Sequence, residues 1–524
     1  MHPSTDDSAP ISVLHEDLLF NIFMENTFLD DFHQAVVPKG GTGALTTARR
    51  CSQVSQHWRS TYLSSPSIWG RLINLDDLLQ GTEDWRKEVI ARTGEALLWV
   101  YGGVSKWETA DFVFSFLRKN WARVQLLLIV DRDIYNTTTP LADGKAKWAF
   151  LNEPAPQLQK IYINGMSPSK AEEYLPPARN LFNSSAPLLK HFSIPGIIPQ
   201  ISWSRHLSSL SFQSSNLTTE KFLKELQDMP ELVFLGIYGN CISNPNRERC
   251  PQVILPKLRT LSLGTEGSFL NVGPILQCIT PSPDCCLYAP LRIVRPSGID
   301  SGEYERYETG LASFILPYLS LHPPTAVELA CLCTNFVLLQ SGRKFAITFS
   351  VLLPPLSPSP LLKELISSVT FSNVSTVCVL NASSWSTSPL NFTVLEAFPS
   401  ATTLITTDDA IQTLLRLGRD RISTLLPALS TLEVRNMSYP TGGRDMEESP
   451  HEQFLKLRKD LGLPLSVLNL GFILNNLPVD LNHFECEHPG LLVKWSLDCQ
   501  SMFGNYTNFE EYRCGDGHPE TSLC

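Results

Sequence analysis

Apolar residues spaced three or four apart mark two helical stretches near the amino terminus, and apolar residues two apart mark strands through most of the remaining chain. The first helix reads Leu14-His15-Glu16-Asp17-Leu18-Leu19-Phe20-Asn21-Ile22-Phe23. Leu18 with Ile22, and Leu19 with Phe23, fall on adjoining strips of one helix face. The spacing of Cys51, Val54, Trp58 and Tyr62 predicts a second helix from about Ala44 to Leu63. Ser64-Ser65-Pro66-Ser67 stops it, because proline cannot continue a helix and restricts the residue before it. A helical segment this short cannot hide all its apolar groups, so some are expected to face a partner.

After residue 75 a strand unit recurs: proline, any residue, a large apolar residue, then apolar residues three and five places on. It occurs at Pro156/Leu158/Ile161/Ile163, Pro187/Leu189/Phe192/Ile194, Pro230/Leu232/Leu235/Ile237, Pro256/Leu258/Leu261/Leu263 and Pro427/Leu429/Leu432/Val434. Versions without the proline are Trp121/Val124/Leu126, Leu207/Leu210/Phe212, Val374/Val377/Val379 and Leu465/Leu468/Leu470. The last two apolar residues of each unit are two apart, so they point to one side of a strand. Such a strand cannot bury its face alone, and stacked units share one core in a parallel sheet. Helical patterns lie between, as in Thr218 to Leu226, where Thr218 or Thr219 caps and Phe222, Leu223 and Leu226 form the inner stripe. An ordinary α/β domain with parallel strands is the alternative to a stack. A closed barrel is disfavoured because the units are too numerous and too unequal.

The amino-terminal segment resembles an F-box. Leu14-His15-Glu16-Asp17-Leu18 matches the family's opening Leu-Pro-x-Glu/Asp-Leu/Ile, and Ile22-Phe23 comes next. Cys51 to Arg59 matches its Cys-x-x-Val-Cys-x-x-Trp-Arg pattern, and Pro66-Ser67-Ile68-Trp69 its closing Pro-x-Leu-Trp. His15 replaces the usual proline, and a Gly-rich insertion (Gly40, Gly41, Gly43) separates the helices. Neighbouring strand units are about 18 to 37 residues apart, which resembles an irregular leucine-rich repeat array without a fixed Asn or Cys after the strand. Ala91 to Leu98, Asn120 to Leu126 and Glu452 to Leu470 are also similar to segments of a large fungal-type F-box family.

The resemblance implies an α/β chain in which a small helical F-box-like domain precedes a leucine-rich-repeat-like solenoid with a parallel sheet. The expected boundaries are 1–10 for a flexible start, 11–75 for the F-box-like domain, 76–498 for the solenoid, interrupted at about 264–370, and 499–524 for a tail. It also implies a non-catalytic substrate receptor of a cullin-type (SCF) ubiquitin ligase, binding a Skp-type adaptor and an unknown target protein. Leu14, His15, Leu18, Ile22, Phe23, Val54, Trp58, Ile68 and Trp69 are the implied adaptor-binding positions. The competing reading is a repeat scaffold with a degenerate F-box and no ligase role.

Composition narrows the classes. The chain has 524 residues, more than one hydrophobic core usually serves, with 43% hydrophobic and 18% charged residues. A net charge of −10 argues against a phosphate-binding surface, so no nucleic acid is expected. The start lacks a signal-peptide pattern, and the best apolar runs are cut by Pro317 or Pro354-Pro355, so no membrane is expected. The 13 scattered cysteines read as reduced thiols, and the expected location is cytoplasmic or nuclear. Eight Asn-x-Ser/Thr sequons occur, for example at Asn136, Asn183, Asn216 and Asn436; a Ser/Thr-rich chain generates these by chance.

Catalytic motifs fail on spacing. His15-Glu16 and His451-Glu452 lack the second histidine of a zinc-protease helix, since Leu19 and Leu455 stand there. Gly40-Gly41-Thr42-Gly43 has no following Lys-Ser/Thr. Cys278, Cys285, Cys286 and Cys331-x-Cys333 lack paired zinc spacing, and Cys486-Glu487-His488 is equally thin; neither metal nor cofactor is expected. Asp408-Asp409 reads as a solvated loop and not as a catalytic pair.

Overall fold

The computed structural model describes residues 14–27, 44–104, 107–131, 141–199, 202–213, 217–238, 242–243, 250–263, 272–288, scattered positions from 309 to 367, 371–380, 395–435, 448–472, 481–496, 510–515 and 517. The chain forms two compact units, Met1–Arg259 with Cys278–Ser282, and Thr260–Gln277 with Pro283–Cys524.

The first unit opens with helices α1 (Glu16–Glu25), α2 (Ala44–Cys51), α3 (Gln56–Leu63) and α4 (Pro66–Arg71). The single helix expected from Ala44 to Leu63 is therefore two. The Ser55 hydroxyl accepts from the Trp58 amide at 3.1 Å and starts α3 afresh, while the freed Ser52 carbonyl accepts from Arg59 Nε at 3.0 Å. Serine favours caps over helix interiors, and here that local preference overrides the apolar period.

Next along the chain come strands β1 (Ile73–Asn74), β2 (Leu98–Val104), β3 (Val124–Asp131), β4 (Lys160–Asn164), β5 (His191–Ser193), β6 (Ser209–Phe212), β7 (Leu217–Thr218), β8 (Phe234–Ile237), β9 (Ile242–Ser243) and β10 (Val253–Leu255). In the unit's sheet they run β1-β2-β3-β4-β5-β6-β8, each parallel to the next, and β7 with β9 forms a short parallel pair. Helices Trp107–Asn120, Leu141–Trp148, Pro168–Tyr174 and Thr219–Gln227 make crossovers, as parallel pairing requires. Thr218 caps the last of these by accepting from the Lys221 amide at 3.3 Å, and Phe222, Leu223 and Leu226 are buried beneath it.

The register carries the core across the strands. Val100, Leu127, Ile161, Phe192, Leu210 and Leu235 are successive partners, and none is more than 1% exposed. The leading residues Leu158, Leu189, Leu207 and Leu232 are fully buried at the bends into their strands. Each such side chain contributes about 1.5–3 kcal/mol on burial. Strands β11 (Thr260–Leu263) and β13 (Cys286–Tyr288) pair in the second unit; β12 (Ile279–Pro281) pairs with β10 in the first. Thr280-Pro281, inside the stretch expected to interrupt the solenoid, thus closes a short edge strand, where proline costs no ladder bond.

The second unit holds a seven-stranded sheet of β14 (Ala326–Ala330), β15 (Thr376–Leu380), β16 (Thr403–Thr406), β17 (Thr431–Val434), β18 (Val467–Phe472), β19 (Leu492–Ser496) and β20 (Glu510–Arg513). All neighbours are parallel except β19 and β20. β20 lies in the stretch after 499 expected to be a tail. It holds because Tyr512 turns inward and its hydroxyl donates to Glu485 at 2.8 Å, with Cys514 buried beside it. The protein is thus a mixed α/β chain with many-stranded parallel sheets, and no sheet among the described residues closes into a barrel. No helix among the described residues is long and apolar enough to cross a membrane.

Two arginines fasten the turns that feed strands. In the first unit Arg123 donates to the carbonyls of Gly94 and Ala96 and, at 2.9 Å, to the Thr93 hydroxyl, with Asn120 Oδ1 behind it. In the second, Arg458 is 1% exposed and donates to the carbonyls of Leu425 (3.1 Å), Leu426 (3.3 Å) and Leu429 (3.3 Å). Leu426 has a φ of 47°, a left-handed conformation costly for a side chain, and Arg458 holds its carbonyl in place.

Candidate partner-binding surface

α1 places its apolar residues on two strips with opposite fates. Leu19 and Phe23 are fully buried, while Leu18 is 53% and Ile22 43% exposed. Phe23 packs on Trp58 and Tyr62 of α3 with ring centroids 5.2 and 4.7 Å away. Trp69 of α4 continues this aromatic core, 6.0 Å from Tyr62, and its indole donates to the Tyr62 carbonyl at 2.9 Å. Edge and tilted ring pairs of this kind add to what area burial gives.

His15 caps α1: its Nδ1 accepts from the Asp17 amide at 3.3 Å. Glu16 and Asp17 stand in the first turn, where the helix dipole favours negative charge. Of the positions implied by the sequence, His15, Leu18, Ile22 and Val54 are exposed and Leu14 is half-buried. Phe23, Trp58, Ile68 and Trp69 are buried, so in this chain they build the helical core. Ile68, an implied partner-facing position like Leu18, is turned inward by α4. Leu63, 39% exposed at the end of α3, adds an uncovered apolar group that no motif marks. Trp58 and Tyr62 define the buried strip of that helix, and Leu63 stands one residue past it.

The helical segment runs into the sheet without a linker. Leu72 and Ile73 are fully buried, and Ile73 pairs with Val100 of β2. A Cβ at Gly70 would sit 2.3 Å from the Leu97 carbonyl oxygen, so only glycine lets α4 approach the turn before β2. Arg71 lies 4.3 Å over the Trp99 ring, and burial lowers its basicity while Glu25 opposes that.

Asp408-Asp409 is not a solvated loop. Thr407 caps a helix, Asp408–Leu415, and Asp408 is buried, hydrogen-bonded to His451 Nδ1 at 2.8 Å. His451 Nε2 lies 3.1 Å from Ser449 Oγ. The order hydroxyl, imidazole, carboxylate is that of a nucleophilic relay. Here, however, Ser449 is the cap of helix Pro450–Asp460: its hydroxyl accepts from the Glu452 amide at 3.4 Å, and Glu452 accepts from the Ser449 amide at 2.7 Å. An apolar cavity of this unit, lined among others by Leu404, Leu414, Ile422, Leu425 and Phe454, has none of the three on its wall. The network fastens one helix to another.

Cys278, Cys285 and Cys286 are buried; burial pushes the Cys285 thiol up to about 12, and Cys278 up to about 11 with Cys250 beside it. Among the described residues no three His, Cys, Asp or Glu gather as metal ligands. Cys331 and Cys333 lie outside the described residues. No family model matches the chain, and no curated protein matches it.

Proposed function

We propose that this protein is a substrate-receptor subunit of a cullin-type ubiquitin ligase. On this reading the helical segment is an F-box that docks on a Skp-type adaptor, and the sheet units form an irregular leucine-rich-repeat-like solenoid that holds a target protein. The receptor supplies no chemical group. It raises the concentration of target lysines near the ubiquitin-loaded enzyme.

The observation that carries the proposal is the split on α1, where Leu18 and Ile22 stay in water while Leu19 and Phe23 are fully buried. Two large apolar groups one turn apart on an exposed strip suit a helix that packs into a partner's helices. The motif order of residues 14 to 69 supports the same reading. His15, which caps the helix where the family usually has proline, is the feature that favours the competing scaffold reading.

The test is co-purification of the full chain with adaptor and cullin. Leu18→Asp with Ile22→Asp should abolish adaptor recovery and leave the unfolding temperature unchanged, since neither side chain is in the core. Recovery of the double variant at wild-type level rejects this surface. Failure of the wild-type chain to recover the adaptor rejects the ligase role and leaves the scaffold reading.

A further inference from the structure

The first unit's sheet has a second face, opposite the Val100-to-Leu235 row. Register places Trp99, Leu126, Lys160, His191, Ser209 and Phe234 in one line across it, and Tyr101, Leu128, Tyr162, Ser193, Ser211 and Gly236 in the next. The two ends of these lines differ. At β2 and β3, Tyr101, Leu126 and Leu128 are buried and pack with Trp99 and Tyr162. From β4 to β6 the same lines are half-buried, as is Phe234 of β8, while Gly236 is buried, and they carry an amine, an imidazole and three serine hydroxyls between aromatic rings.

Lys160 of this face, and Lys190, exposed one residue before His191 at the entry to β5, lack counter-charges: the two form no ion pair among the described residues. The groups acting on His191 agree: burial, then Lys160, then Lys190 hold it down to about 4, and no carboxylate is among them. The hydroxyls of Ser193, Ser209 and Ser211 make no hydrogen bond among the described residues. Tyr238 folds back over Gly236, where a Cβ would meet its ring at 2.6 Å, so the glycine makes room for a ring beside Phe234. On a chain of net charge −10, a local pair of unmatched lysines flanked by Tyr, Phe and Ser is a surface complementary to a negatively charged polypeptide. Tyrosine and serine together give broad contact and adaptable hydrogen bonding at low entropic cost.

We infer that this face of β4 to β8 binds an acidic segment of the target protein, with Asp or Glu carboxylates against Lys160 and Lys190 and apolar side chains on Tyr162, Phe234 and Tyr238. The inference rests on the proposed receptor role and adds the substrate class to it.

The experiment selects peptides from a random phage-displayed library on the full-length chain, then repeats the selection on Lys160→Glu with Lys190→Glu. The wild type should enrich peptides rich in Asp and Glu, and the charge-reversed variant should lose them and favour Lys and Arg. A synthetic peptide from the first pool should bind the variant more weakly by roughly tenfold per reversed lysine. Lys160→Gln with Lys190→Gln, checked by thermal unfolding, should lose the acidic preference without the reversal. Wild-type selection without acidic enrichment, or identical pools from wild type and both variants, overturns the inference. A phosphopeptide bound in strong preference to its Glu counterpart would also overturn it as stated. Adaptor recovery should be unchanged in both lysine variants. Loss of adaptor recovery by the wild type, with acidic selection intact, would reject the ligase role alone.

Discussion

The helical segment and the strands after it spend their apolar residues differently. In the sheet of the first unit every core partner from Val100 to Leu235 is at most 1% exposed. In the helical segment an aromatic core of Phe23, Trp58, Tyr62 and Trp69, none more than 8% exposed, sits beside Leu18, Ile22, Val54 and Leu63, all more than a third exposed. In the strand region, too, Leu97, Leu188, Val233 and Ile254 are more than a third exposed. The helical segment differs in that its four fall between Leu18 and Leu63, whereas those of the strand region are spread from Leu97 to Ile254.

Mutations that cross this divide should differ sharply in cost. Phe23→Ala removes the ring shared by Trp58 and Tyr62 and should destabilise the first unit by about 3–5 kcal/mol in chemical denaturation. Arg458→Met should cost about 2–3 kcal/mol, because it strands the buried carbonyls of Leu425, Leu426 and Leu429. Arg123→Met, at a half-exposed turn whose carbonyls water can reach, should cost about 1 kcal/mol. Thr218→Ala should cost about 1 kcal/mol through the lost cap. Leu18→Ala should change stability by less than about 0.5 kcal/mol, the smallest effect of the series. A Leu18→Ala cost near that of Phe23→Ala would erase the distinction between the two strips.

Acid offers another way to sharpen the contrast. His191 is held from its ordinary 6.5 down to about 4, by burial first and then by Lys160 and Lys190. As pH falls, the unfolded chain binds this proton before the folded one does. The stability conferred by the neutral ring is therefore complete above 6.5 and drains away as pH drops toward about 4. His191→Asn should flatten that part of the stability-against-pH curve, measured by thermal unfolding, whereas Leu18→Ala should leave its shape alone.

Much of the sheet is legible in the sequence because each unit announces itself with a leading apolar residue three places before the strand pair. All nine units read from the sequence coincide with strands. β16 escapes that pattern although it keeps the same spacing: Ala401, Leu404 and Thr406 are fully buried, but alanine and threonine stand where large apolar residues mark the others. β2 escapes it because Gly102 and Gly103 interrupt its alternation, and β20 because only Tyr512 points inward. The candidate surface is legible only in part. Helical period shows that Leu18 and Leu19 lie on adjoining strips, but which strip meets α3 is decided by the rings of Trp58 and Tyr62. The pairing of Asp408 with His451 joins residues 43 apart, and no local pattern encodes it.

The glycine contact at Gly70 and the burial of Leu72 and Ile73 leave no hinge between α4 and the first strand. A ligase built on this chain would therefore hold its cargo like a bracket and not like a tether. Only lysines at a set height above the bracket would come within reach of the ubiquitin donor, so the choice of modified lysine would be dictated by how the target is seated.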